Sequence, residues 1–239
     1  MKTILILGAG LSASSMIRYL LQHCEKENWK LRIVDRDKNR ILSLIKNHKN
    51  AEALDFDATS SNIRLPEIKG ADLVISMLPA RFHVEVAEDC ISARKNLITP
   101  SYISLEMKAL NQRAKDAGIT IMNEIGVDPG IDHMSAMKII DKIKDNGDTL
   151  HSFKSFCGGL VAEEHDDNPW RYKFTWNPRN VVLAGKGGTA MFLDNHKYKY
   201  IPYNRLFDRL DRISIPGHGK FVGYPNRDSL SYQETYRLK

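Results

Sequence analysis

Residues Asn123 to Met134 read NEIGVDPGIDHM, a segment that sets one carboxylate, Asp128, against a Pro-Gly turn and places His133 one helical turn further on. A carboxylate so placed can bind a substrate ammonium or orient a reacting amine. It also has a plainer use, as the cap of a helix whose first position suits Pro129. His133 is open to the same pair of readings, a catalytic group or a partly buried helix histidine. A second chemistry-bearing segment lies near the start, where Gly8, Ala9, Gly10, Leu11, Ser12 and Ala13 follow the apolar run Thr3 to Leu7.

The spacing of Gly8, Gly10 and Ala13 fits a dinucleotide-binding turn between a strand and a helix. Gly8 permits the tight turn, Gly10 leaves room for a pyrophosphate, and Ala13 lets helix and strand pack closely. Backbone N–H groups around Leu11 and Ser12, at the new helix's N-terminus, then face the phosphates. A second β-like run, Leu31 to Val34, ends at Asp35, where a carboxylate accepts hydrogen bonds from the ribose hydroxyls. Asp35 thus favours NAD over NADP, while Arg36 beside it offers a partner for a 2′-phosphate. The alternative for Asp35 is a cap on the helical stretch Asp37 to Lys46.

The elements that must position these groups alternate. Strand-like runs fall at Ala51 to Asp57, Leu73 to Leu78, Asn96 to Thr99 and Ile119 to Met122, and helical patterns at Arg81 to Ala93 and Ser104 to Ala117. Such alternation implies a doubly wound parallel α/β sheet of the Rossmann type with right-handed crossovers. Ligands of these sheets sit beyond the carboxyl ends of the strands. Asp55 to Ala58, with Asp57 and Ala58, then face the adenine, and Ser76 to Ala80, with Leu78, the nicotinamide. Thr99, Pro100, Ser101 and Tyr102 offer hydroxyls to a polar substrate.

After Met122 the pattern changes. Pro129 and Gly130 open an amphipathic helix through about Asn146, closed by Gly147. Beyond it Ser152 to Cys157, Val181 to Ala184, Thr189 to Leu193 and Tyr198 to Ile201 read as extended. The expected organisation is a dinucleotide-binding domain over 1–125 and an α+β substrate and dimerisation domain over 126–239.

Composition sets outer bounds. The chain has 239 residues, 42% of them hydrophobic, and no apolar run long enough to span a bilayer. It reads as a cytoplasmic globular protein without membrane contact. A net charge of +6 is spread along the chain without a dense basic tract, which favours an enzyme with anionic ligands over a nucleic-acid binder. Cys24, Cys90 and Cys157 form no CxxC pair, and neither HExxH nor GxSxG occurs, so no metal site is expected.

NEIGVDPGIDHM, FCGGL at Phe156 to Leu160, NPWRYKFTWNPRNVV at Asn168 to Val182 and GYPNRDS at Gly223 to Ser229 follow the GAGLSA turn in this order. Together they resemble the saccharopine dehydrogenase family, closest to its glutamate-forming members. The resemblance implies oxidoreduction at a C–N bond: saccharopine, NAD(P)+ and water give glutamate and α-aminoadipate semialdehyde in lysine metabolism, or the reverse. By the same resemblance Ser101, Tyr102 and Asp128 contact the amino-acid substrate, Val127, Pro129 and Thr175 lie near the cofactor, and Cys157 is the family's pocket cysteine. With Tyr102 and Asp128 it makes up the expected catalytic group. Arg227 resembles the arginine that binds a substrate carboxylate, a task suited to a guanidinium fork. Glutamate-forming members usually use NADP and lack an acid at the place of Asp35. Members are also usually much longer, with a later RGTLRY-type motif, so an incomplete second domain with weak or absent activity alone is expected, in a homodimer. The alternatives are a polyamine enzyme of the carboxynorspermidine dehydrogenase type and a nucleotide-binding module without catalysis.

Overall fold

Six parallel strands form the sheet that organises the first half of the chain in the computed structural model, which describes residues 1–175, 178–184 and 187–238. They are β1 (Lys2–Leu7), β2 (Trp29–Asp35), β3 (Ala51–Asp55), β4 (Leu73–Ser76), β5 (Asn96–Ile98) and β6 (Ile121–Met122). Their order is β3-β2-β1-β4-β5-β6, all neighbours parallel, as the doubly wound reading requires. The chain divides into two compact units, Met1–Met134 and Ser135–Lys239.

Alternation of side chains along each strand divides the first unit's core between the sheet's faces. Ile4, Ile6, Leu31 and Ile33 pack with Ile17, Leu21 and Cys24 of α1 (Ser14–Glu27) and Ile41 and Ile45 of α2 (Lys38–Ile45). Leu5, Leu7, Val34, Val74 and Leu97 pack with Ile68 of α3 (Ser61–Lys69), Val86, Ala87 and Cys90 of α4 (His83–Ala93) and Met107 of α5 (Leu105–Ala109). The central strands β1 and β4, covered on both faces, are apolar over most of their length, which is why they read as runs. Each fully buried leucine or isoleucine contributes about 1.5–3 kcal/mol.

The structure departs from the sequence expectations in several of the helices. The stretch Ser104 to Ala117 is two short helices, α5 and α6 (Asn111–Asp116), with Ser104 Oγ accepting from Met107 N at 3.1 Å. Helix α3 has no counterpart in the sequence reading, because Pro66 lies inside it and Arg64 occupies a core position. The helix expected from Pro129 begins at Ile131 as α7 (Ile131–Asp145), with Pro129 in the preceding turn. Val181 to Ala184, expected as extended, falls in α8 (Pro178–Ala184), whose leading proline suits a first helical turn.

The second unit contains two antiparallel hairpins, β7 (Ala190–Asp194) with β8 (Lys197–Ile201) and β9 (Asp211–Ile215) with β10 (Gly219–Gly223), and ends in α9 (Ser231–Thr235). Strands β7 and β8 match expectation. Ser152 to Cys157 carries no strand, and the second hairpin was not read from the sequence. Ala136, Ile140 and Tyr236 form a small core with Met137, Phe153 and Tyr232. Trp176 and Asn177 of the long motif lie outside the described residues.

Arg64 is fully buried, its Nη1 donating to the Ala58 carbonyl at 2.7 Å and its Nε to Asp89 at 2.8 Å. This ion pair ties α3 to α4 and to the loop after β3. Removing one partner of such a pair leaves a buried charge uncompensated. Asp89→Ala should therefore lower the unfolding free energy by about 3–5 kcal/mol in urea denaturation, and a loss below about 1 kcal/mol would contradict a structural role for the pair.

Candidate active site

Strand order reverses between β1 and β4, and the glycine turn leaves β1 at that point. Gly8 has φ +100°, and a Cβ there would stand 3.1 Å from the Met77 carbonyl oxygen, so glycine is required twice over. Gly10 is different, because a Cβ on it would meet no atom within 4 Å. The space beside it suits a pyrophosphate, and the exposed Leu11 and Ser12 lead into α1 while Ala13 is buried against the sheet. Asp35 closes the turn from β2: one carboxylate oxygen accepts from Ala9 N at 2.8 Å and the other from Asp37 N at 3.1 Å. Asp37, two residues on, caps α2 in place of Asp35, accepting from Arg40 N at 3.2 Å.

Along the same edge, Asp57 accepts from Thr59 N and Oγ1 at 3.0 and 2.7 Å. Those bonds, with the nearby positive charge of Arg36, hold its carboxyl below the usual range. Ala58 is buried behind it, Leu78 is half-buried after β4, and Arg36 is exposed.

Two loops meet past β5 and β6. Thr99 is fully buried and its Oγ1 accepts from Ser101 N at 3.2 Å. Glu124 N donates to the Ser101 carbonyl at 3.1 Å, and a Glu124 carboxylate oxygen accepts from Ile103 N at 3.1 Å. Glu124 sits at φ +60°, a conformation costing a side-chain-bearing residue about 1–2 kcal/mol, and these two bonds hold it there. The turn then doubles back so tightly that a Cβ on Gly130 would lie 2.1 Å from the Gly126 carbonyl oxygen. Gly130, at φ +149°, therefore admits no other residue.

This turn presents Asp128 and Val127 outward and buries Pro129. The Tyr102 hydroxyl donates to the Asp128 carboxylate, which joins the two loops. Asp128 is accordingly not the helix cap, since α7 starts three residues later and the nearby carboxylate bonded to Gly130 N, at 2.6 Å, belongs to Asp132. His133 lies 3.7 Å from Glu124, with its side chain largely buried.

His83, the first residue of α4, was missed by the sequence reading. Its Nδ1 lies 3.0 Å from Ser76 Oγ, at the end of β4, and its Nε2 lies 2.9 Å from Ser101 Oγ. Only 3% of the residue is exposed, and burial pushes the imidazole pKa down to about 4. One signal was available: His83 shares the helical face of Val86, Ala87 and Cys90. A polar residue on a buried stripe needs bonding partners.

The remaining expected residues belong to the second unit. Cys157 is an exposed free thiol, and Thr175 is exposed. Arg227 lines a cleft of about 110 Å³ with Tyr203, Tyr224 and Asn226. Its carbonyl accepts from Met191 N at 3.1 Å, and Asp228 accepts from the backbone of Leu230 and Ser231, so NRDS is pinned to β7. Among the described residues no cluster of His, Cys, Asp and Glu is arranged to hold a metal, and no helix is long and apolar enough to cross a membrane.

Comparison with known proteins matches residues 4–122 to the saccharopine dehydrogenase NADP binding domain and residues 126–239 to the saccharopine dehydrogenase C-terminal domain. The chain belongs to the saccharopine dehydrogenase family. It is 36% identical over 237 residues to the NADP(+)-linked, L-glutamate-forming saccharopine dehydrogenase of Pyricularia oryzae, covering 99% of this chain and 52% of that protein. It is 38% identical to the mitochondrial alpha-aminoadipic semialdehyde synthase of Mus musculus, over 99% of this chain and 25% of that one. The apo, L-Glu-forming saccharopine dehydrogenase from Saccharomyces cerevisiae superposes with a TM-score of 0.88 at 35% identity, over 100% of this chain and 52% of that one. The chain thus spans about half the length of the fungal saccharopine dehydrogenases it matches.

In this saccharopine dehydrogenase family member His83 ties stability to pH. Its folded-state pKa of about 4 is below the ordinary 6.5, so between these values the unfolded chain binds the extra proton and stability rises with pH. The contribution is complete above about pH 6.5 and falls on acidification. His83→Gln should remove up to about 1.4 kcal/mol per pH unit from that slope in urea denaturation between pH 4.5 and 6.5. An unchanged slope would contradict a buried neutral imidazole.

Proposed function

We propose that this chain carries the nucleotide site and adjoining substrate contacts of a glutamate-forming saccharopine dehydrogenase, acting on saccharopine with NAD or NADP. The observation that carries this reading is the Tyr102–Asp128 bond at the strand edge where the glycine turn also opens. The open space at Gly10 and the turn tied down by Asp35 fit a dinucleotide. When bound, the nicotinamide supplies the hydride acceptor.

The chain's own residues prepare the amine. Saccharopine's secondary amine is an ammonium at neutral pH and must lose a proton before its lone pair can form a C=N bond. Asp128, held in place by Tyr102, binds that ammonium and accepts the proton. As hydride departs from the carbon destined to become the aldehyde, the lone pair closes the imine. Water adds to that carbon, the C–N bond breaks, and glutamate leaves with the nitrogen. Ser101 and Thr99 shape the contact to the acidic substrate, and Leu78, Val127 and Pro129 wall the nicotinamide side. In the second unit, the family resemblance gives Arg227 the part of a carboxylate fork, Cys157 that of the pocket cysteine and Thr175 a place near the cofactor. Asp35 favours NAD, because a 2′-phosphate beside its carboxylate meets like charge; Arg36 offsets that repulsion in part.

Saccharopine with NADH is a non-reacting pair and reports binding alone. In calorimetry the NADH-loaded chain should bind saccharopine more tightly than carboxynorspermidine, and Tyr102→Phe should weaken saccharopine about tenfold through loss of the bond that orients Asp128. NADH should bind more tightly than NADPH. Gly10→Val should abolish binding of both without lowering the melting temperature, since a Cβ there meets no atom within 4 Å. Tighter binding of the polyamine would overturn the substrate assignment, and undiminished cofactor binding by Gly10→Val the nucleotide site.

A further inference from the structure

His83 is held between a hydroxyl that is completely buried and one that is half-buried, and this asymmetry fixes its protons. Ser76 is 0% exposed, and among the described residues its Oγ has His83 Nδ1 as its hydrogen-bond partner. A neutral imidazole has one N–H donor and one acceptor nitrogen. If Nδ1 carried the hydrogen, Ser76 would accept it and its own buried proton would lack an acceptor, at a cost that native structures avoid. If Nδ1 accepts from Ser76, every group is satisfied and the hydrogen resides on Nε2.

We infer that His83 is a positioning residue for Ser101: its Nε2–H donates to the Ser101 hydroxyl oxygen and turns the Ser101 proton toward a substrate carboxylate. Ser101 is fixed on the other sides too, its N donating to Thr99 Oγ1 at 3.2 Å and its carbonyl accepting from Glu124 N at 3.1 Å. With one of its two lone pairs taken by the imidazole, the hydroxyl directs its own proton away from His83. A proton so directed favours an anionic ligand group as its acceptor. The neutral state persists through the physiological range because burial opposes protonation. The inference deepens the proposed function and rests on Ser101 being a substrate contact.

The tautomer can be read without any variant, from two-bond nitrogen–proton correlations of the His83 ring in the full chain at pH 7. An Nε2–H pattern is expected, and an Nδ1–H or doubly protonated ring overturns the inference. Saccharopine affinity of the NADH-loaded chain supplies the functional arm. His83→Asn, whose amide meets Ser76 but falls short of Ser101, should weaken binding about tenfold, and His83→Gln, whose amide reaches Ser101, should restore most of it. Wild-type affinity in His83→Asn, or equal losses in both, overturns the positioning role. Wild-type affinity in Ser101→Ala instead overturns the underlying substrate contact, whatever the tautomer.

Discussion

Reversal of strand order between β1 and β4 is the constraint on which the rest of the first unit depends. Right-handed crossovers place α1 and α2 against one face of the sheet and α3, α4 and α5 against the other. Where the winding changes direction, no helix covers the carboxyl ends of the strands. Each residue following a strand then faces one crevice edge: Gly8 after β1, Asp35 at the end of β2, Leu78 after β4 and Thr99 after β5. Chemistry gathers there because the backbone leaves room there.

Rigidity in the loops past β5 and β6 comes from hydrogen bonds more than from apolar burial. Tyr102, Val127 and Ile125 are exposed, whereas the backbone around them is tied through Ser101, Glu124, Gly126 and Pro129. The left-handed Glu124 and the close Gly126–Gly130 approach are tolerated because these bonds determine the turn from several sides. Asp128 is thereby offered at a fixed place with an exposed carboxylate. His83 extends the same scheme inward, tying the loop after β5 to the end of β4 across the start of α4.

Much of this was legible in the sequence wherever periodicity reports burial. The central strands β1 and β4 stood out because parallel strands covered on both faces are nearly continuous apolar runs, and the glycine turn because Gly8 and Gly10 follow β1. Helix α3 was hidden by Pro66 and by a charged residue at a core position, whose partner Asp89 is 25 residues away. The links from His83 to Ser101 and from Glu124 to Ile103 span 18 and 21 residues and leave no local pattern. Asp128 was found, but its role as a cap failed, since spacing cannot show whether a Pro-Gly turn enters a helix at once or doubles back first. In the second unit α8 was misread because Val181 and Val182 weigh toward strand while Pro178, which sets the helical start, lies outside that window.

Asp128 as the residue that receives the substrate amine beside the nicotinamide is the central claim, and a crystal structure of the chain with NADH and saccharopine tests it most directly. The secondary amine should lie within about 3.2 Å of the Asp128 carboxylate, with the nicotinamide on the Leu78 side and a saccharopine carboxylate at Ser101. An amine seated away from Asp128, with the Tyr102–Asp128 bond intact, would contradict it.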